Sequence, residues 1–139
     1  PLSNIPLSTL DIRGVAVSDL SPLAGMPLER LELAGVNISD LGPLRNMPLK
    51  HLDISGTGVK NIHVLRGMPL RFLNIQRSAI KDLSPLQNAG IEEIWLDYHP
   101  YLHQLDTDRA FTEILRQMPA LTTVNGMPWR PPGEPRKSE

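Results

Sequence analysis

A spacing of 21 residues recurs through most of this chain. Pro6, Pro27, Pro48 and Pro69 follow it, and Gly90 takes the next place in the series. Each is followed by an aliphatic residue: Leu7, Leu28, Leu49, Leu70 and Ile91. Three positions later stand Leu10, Leu31, Leu52, Leu73 and Ile94, and two further on Ile12, Leu33, Ile54, Ile75 and Leu96. The register continues through Val15, Val17 and Leu20, then Val36, Ile38 and Leu41, then Val59 and Ile62, then Ile80 and Leu83. A unit this short cannot cover its own apolar side chains, so its neighbours must cover them. Self-similarity of this kind therefore restricts the chain to a stacked array.

Within one unit, the alternation Leu28, Leu31, Leu33 contains the period of a strand with one face buried. Ser-Pro at 21–22 and 84–85, and Gly-Pro at 42–43, predict the start of a helical or 3₁₀ segment. Ser or Gly is expected at the N-cap there, with proline at the first helical position, where a missing N–H costs nothing. Met-Pro at 26–27, 47–48 and 68–69 ends the segment, because a residue before proline is pushed out of the α region. His63-Val64 replaces Ser-Pro in the third unit, which predicts a looser turn. Gly14, Gly35 and Gly56 suit a sharp bend with positive φ, and Arg77 and Tyr98 interrupt that column.

The segments LERLELAGVNISDLGPLRNM (28–47) and LKHLDISGTGVKNIHVLRGM (49–68) resemble the leucine-rich-repeat family, in particular the short bacterial repeats of internalin-like proteins. The resemblance extends from residue 1 to about residue 98. It implies an α/β right-handed solenoid with a parallel sheet on its concave side and short helical or 3₁₀ segments on its convex side. The family usually places asparagine at the ninth position, where the side chain bonds turn backbone. Here that position holds Val15, Val36, Thr57, Ser78 and His99, so the asparagine ladder is missing.

Both ends depart from the repeat. Pro1 to Ile5 aligns with Pro22 to Met26, so the chain is expected to open on the tail of an earlier unit, with more repeats or another domain upstream. A first strand at about 7–13 would then be an open edge able to pair with another chain. From residue 99 to 129 a C-terminal cap is expected. Asp106-Thr107-Asp108 offers a helix start, and Phe111, Ile114, Leu115 and Met118 follow at helical spacing. Leu121 to Val124 suits a last strand before Asn125-Gly126. The stretch 91–129 also resembles the C-terminal ends of repeat regions in planctomycete-type multidomain proteins. That likeness implies an accessory role beside a kinase or other catalytic domain. The proline-rich, charged tail 130–139 is expected to be disordered.

Chemistry-bearing constellations are hard to find. His99 and His103 are four apart, but Pro100 lies between them and no HExxH pattern accompanies them. The serines recur at repeat positions and the glycines at periodic turns, which leaves no nucleophile set and no phosphate loop. No catalytic residue, metal or cofactor is expected, and the chain reads as a non-enzyme. A net charge of -1 gives no field that favours nucleic acid. No apolar run reaches the roughly 20 residues of a membrane span. The absence of cysteine fits a reducing compartment such as the cytoplasm.

What remains is the outward face of the strands, where stacking turns equivalent positions into columns. One reads Thr9, Arg30, His51, Phe72, Glu93; the next Asp11, Glu32, Asp53, Asn74, Trp95; the third Arg13, Ala34, Ser55, Gln76, Asp97. Three acids in one column repel one another unless something compensates. Arg13 and Arg30 can neutralise them; an acidic stripe for a basic partner is the other reading, and a cation site a third. Phe72 and Trp95 are either interface anchors or residues covered by the cap. Arg30, His51, Phe72, Asn74, Glu93, Trp95 and Asp97 thus form the candidate surface for a protein partner. The alternative is a spacer or self-association module that uses the open N-terminal edge.

Overall fold

The computed structural model describes residues 7–97 and 106–131, with backbone alone for 106–108. Five three-residue strands recur at the predicted spacing: β1 (Thr9–Asp11), β2 (Arg30–Glu32), β3 (His51–Asp53), β4 (Phe72–Asn74) and β5 (Glu93–Trp95). Consecutive strands pair in parallel, and the middle residues fall in one row, Leu10, Leu31, Leu52, Leu73 and Ile94. After β5 come helix α1 (Asp106–Arg116), then β6 (Thr123–Val124) and β7 (Met127–Pro128). β6 extends the parallel ladder, and β7 folds back on it antiparallel, so the sheet runs β1 to β7 in chain order.

One carbonyl per unit ties the ladder together. Ser8 O accepts the N–H groups of both Glu29 and Arg30; Glu29 O, Lys50 O and Arg71 O repeat this with the next pair. Glu92 O extends the same bond to Thr122 and Thr123, which joins the cap to the array by the rule that joins the units. Beneath the ladder, Leu28, Leu31, Leu33, Leu49, Leu52, Ile54, Leu73, Ile91 and Ile94 are fully buried. The first unit is different. Leu10, Ile12 and Val17 are only partly buried, and Leu7 and Val15 are each 47% exposed. β1 is the edge strand of the described sheet, as expected.

The C-terminal segment closes the other end. Phe111, Leu115 and Met118 of α1 and its exit are buried, and so are Leu121 and Val124. Asn125 and Gly126 take φ of 53° and 77°, the two left-handed residues that a tight hairpin turn requires.

The convex turns correct one expectation. Ser21–Leu23, Gly42–Leu44, His63–Leu65 and Ser84–Leu86 are 3₁₀ turns, but Ser and Gly are not their caps. The flanking residues are Leu20, Leu41, Ile62 and Leu83, none with a capping side chain. The acceptor sits one place earlier. Oδ1 of Asp19, Asp40, Asn61 and Asp82 accepts the N–H of Ser21, Gly42, His63 and Ser84 at 2.8, 2.8, 2.8 and 2.9 Å. This is a second column with the same period, an Asx turn in each of the four described convex turns. It also explains why the third turn keeps its 3₁₀ form without proline: Asn61 supplies the bond. The flanking Ile62 nevertheless sits at φ -114°, ψ 22°, away from the φ near -92° of Leu20, Leu41 and Leu83.

The bend after each strand is likewise preserved through changes of residue. Gly14, Gly35 and Gly56 have φ of 67°, 73° and 65°, and Arg77 adopts 51° in the same place. The Arg77 N–H is held by Asp97 Oδ2 at 2.7 Å. Without the asparagine ladder, backbone closes the bend at Val15 and Val36, whose N–H groups reach Ile12 O and Leu33 O. In the next two units the hydroxyls of Thr57 and Ser78 donate to Ile54 O and Ile75 O. Tyr98, His99 and His103 lie outside the described residues.

The Asx column carries a pH dependence. The Ser21 hydroxyl and N–H hold the Asp19 carboxyl below its usual value, and Ser84 does the same for Asp82. The charges of His63 and Arg66 add to this at Asp82. A carboxyl lowered in the folded state contributes stability above its unfolded value near 4, and that contribution fades as pH falls through the folded value. Stability to urea should therefore drop on acidification from neutrality to about pH 3. Asp19→Asn combined with Asp82→Asn keeps amide acceptors and removes the titrating groups, so it should flatten the drop. Parallel pH profiles for the two proteins would rule out this origin.

Candidate functional site

The three outward columns lie in the predicted register, with Thr9, Arg30, His51, Phe72 and Glu93 paired in sequence and Asp11, Glu32, Asp53, Asn74 and Trp95 beside them. In the first three units the acids are satisfied locally. Arg13 Nη2 lies 2.7 Å from Asp11 Oδ2, which lowers the Asp11 carboxyl and raises the Arg13 guanidinium. Glu32, only 7% exposed, takes two partners on one oxygen: Arg30 Nη2 at 2.7 Å and His51 Nε2 at 2.8 Å. Asp53 Oδ2 accepts the Asn74 side-chain amide at 3.4 Å.

The same column also ends the strands. Asp11, Asp53 and Asn74 each turn Oδ1 back onto the N–H two residues on, at Arg13, Ser55 and Gln76, over 3.2, 2.8 and 3.0 Å. Over the first two units the acidic row is paired with basic side chains, and in the third Asp53 is held by neutral donors alone.

The aromatic positions differ from one another. Phe72 is half-buried because the His51 ring stacks on it, with centroids 4.1 Å apart and planes within 5°. Trp95 is half-buried for another reason. Its Nε1 donates to Glu93 Oε1 at 2.7 Å, and its ring lies against Gly126, where a Cβ would come within 3.0 and 3.1 Å of Cη2 and Cζ2. The cap hairpin thus touches one edge of Trp95 and leaves the Phe72 ring to His51. Asn125 Oδ1 accepts the Leu96 N–H at 2.8 Å, which fixes the hairpin where it meets Trp95.

The structure brings the seven predicted residues onto one strand surface. Arg30 and His51 converge on Glu32, His51 reaches Phe72, Asn74 meets Asp53, and Glu93 meets Trp95. Asp97 stands at the strand end, engaged by the Arg77 backbone. Glu32 and Asp53 belong to this network but were outside the predicted set. The acidic column Asp11, Glu32, Asp53 was the signal that pointed to them.

An internalin from Listeria monocytogenes, known from its crystal structure, is similar to this chain over 85% of its length, with a TM-score of 0.65 and 26% sequence identity. The chain is a leucine-rich-repeat solenoid. It spans 34% of that internalin chain. No protein-family model and no curated protein matches it.

On this solenoid the strand face is a rigid surface of fixed spacing. Among the described residues, no three histidine or acidic side chains are grouped to hold a metal ion, and no helix is long and apolar enough to cross a membrane. The chemistry that the face offers is stacking, hydrogen bonding and charge, presented by side chains whose rotamers are held by neighbours. Such pre-ordering reduces the entropy lost on binding.

Proposed function

We propose that the solenoid is a non-catalytic protein-recognition module that binds its partner on the strand face, through Arg30, His51, Phe72, Asn74, Glu93, Trp95 and Asp97. The observation that carries this reading is the pair of half-exposed rings, Phe72 and Trp95, on adjacent strands of a rigid ladder. Large rings supply contact area at little entropic cost, and polar neighbours set orientation. The near-neutral net charge is why a protein is preferred to nucleic acid or a membrane surface. Residues 1–98 form the repeats in this reading, 99–129 the cap and 130–139 a tail. The module serves as an accessory to a linked catalytic domain such as a kinase.

A photo-crosslinking amino acid placed singly at outward positions 9, 30, 51, 72 and 93, and at convex positions 21, 42, 63 and 84, tests this in the source organism's lysate. Partner adducts are expected from the strand positions, centred on 72 and 93. Adducts from the convex positions alone would refute the assignment.

A second reading has its own observation. Leu7 and Val15, exposed beside β1, which is the edge strand among the described residues, suit self-association through that edge. It requires a mass that rises with concentration and falls when Leu7 and Val15 are replaced by lysine.

A further inference from the structure

The two halves of the strand face differ in charge compensation, and the difference indicates what the partner brings. In the first two units, every acid of the outward columns has a basic side chain against it, Arg13 for Asp11 and Arg30 with His51 for Glu32. From the third unit on this changes: Asp53 is bonded only to the neutral Asn74 amide and the Ser55 N–H. In the last two units the columns hold Phe72, Asn74, Gln76, Glu93, Trp95 and Asp97, with no basic residue among them. Glu93 commits Oε1 to the Trp95 N–H, and Asp97 commits Oδ2 to the Arg77 backbone N–H. Both donors are neutral, and among the described residues no cationic side chain pairs with either acid. Two carboxylates without a cationic partner among the described residues therefore share this half of the face with two aromatic rings. Asp53 on the neighbouring strand is likewise bonded only to neutral donors, whereas the first two units pair their acids with basic side chains.

We infer that the partner seats an arginine side chain on this C-terminal half of the strand face. A guanidinium offers a flat cationic face to an aromatic ring and a fork of N–H donors to a carboxylate. Phe72 and Trp95 supply the rings, and Glu93 and Asp97 the acceptors and the charge. Carboxylate and ring both gain from the same cation, so the site discriminates by charge and by planarity. The Trp95–Glu93 bond holds ring and carboxylate in one fixed relation before the partner arrives. This inference rests on the recognition reading above and assigns its partner's chemistry.

The test uses the full chain and three acetylated heptapeptides in which glycine alternates with arginine, with citrulline or with glutamate. Binding is mapped by amide chemical shifts. Glu93→Gln retains an acceptor for Trp95 Nε1, and Asp97→Asn retains one for the Arg77 N–H, so the double variant removes charge while leaving the local bonds. The arginine peptide is expected to shift amides within 72–76 and 93–97, with affinity about tenfold weaker in the double variant. The neutral citrulline peptide and the glutamate peptide should leave those amides unmoved. Absence of shifts at millimolar arginine peptide overturns the inference. So do shifts gathered on the Asp19, Asp40 and Asp82 column, equal affinity in the double variant, or equal binding of citrulline. The natural partner separates the two levels. Adducts at 51 and 72 that persist undiminished in the double variant leave the recognition face standing and remove the arginine; adducts confined to the convex side remove both.

Discussion

Leu52→Ala should lower the free energy of unfolding by about 3–4 kcal/mol, a large share of what a domain of this size possesses. Leu52 is fully buried in the middle of the leucine row, with Leu31 on one side and Leu73 on the other. Truncation removes contacts toward both neighbours and leaves a cavity that two flanking strands cannot collapse into without breaking their own ladder. The equivalent residue at the edge provides the internal control. Leu10 is partly buried and has one neighbouring strand, so Leu10→Ala should cost less than half as much. Urea unfolding of the three proteins gives both values. Equal losses at Leu10 and Leu52 would contradict stacking as the source of stability, since stacking makes each unit's stability depend on how many neighbours it has.

The second large effect is expected at the cap. Gly126→Val should cost about 3 kcal/mol from two separate causes. A β-branched residue is strained at φ of 77°, and its Cβ would press within about 3 Å of the Trp95 ring. Relief requires either that the hairpin open or that the indole rotate away from Glu93, and both expose the ring. Tryptophan emission should therefore shift to the red before any global unfolding. Unchanged emission together with unchanged urea midpoint would mean that the hairpin does not hold Trp95 as described. The same variant should weaken partner capture, because Trp95 would no longer be fixed beside Glu93.

The units and their strand register were legible because stacking leaves a strong trace in sequence. A residue buried between two copies of itself must be apolar in every copy, and Leu10, Leu31, Leu52, Leu73 and Ile94 are. The cap helix was legible for a similar reason, since Phe111, Leu115 and Met118 bury one face at helical spacing. The column Asp19, Asp40, Asn61, Asp82 has the same period but was missed. Its residues are exposed and polar, and Ser-Pro and Gly-Pro beside them offered a more familiar helix start. The Asx bond uses only Oδ1, so Asp and Asn serve equally, and the varying charge conceals the constancy of the bond. The third turn shows the cost of relying on proline: His63-Val64 changes the dipeptide but not the acceptor two residues before it.

The outward columns were legible as columns, though not as contacts. Register alone places Arg30, Glu32 and His51 in neighbouring positions, yet which acid takes which cation depends on side-chain length. Glu32 reaches both partners, whereas Asp53 is too short to do so and bonds instead to Ser55 and Asn74. Whether a ring is covered depends on the cap's path, which no repeat pattern encodes. Asn125-Gly126 did announce a tight turn, but its packing against Trp95 follows from the Leu96–Asn125 bond across the chain.

The central claim is that the strand face carries recognition, and paired capture tests it most directly. The intact chain and a Phe72→Ala/Trp95→Ala version, matched for circular dichroism and urea midpoint, are used to draw partners from the source organism's lysate. The account predicts a protein retained by the intact chain and lost by the double variant. The same set captured by both, or by neither, would contradict it and make the aromatic pair a part of the packing alone.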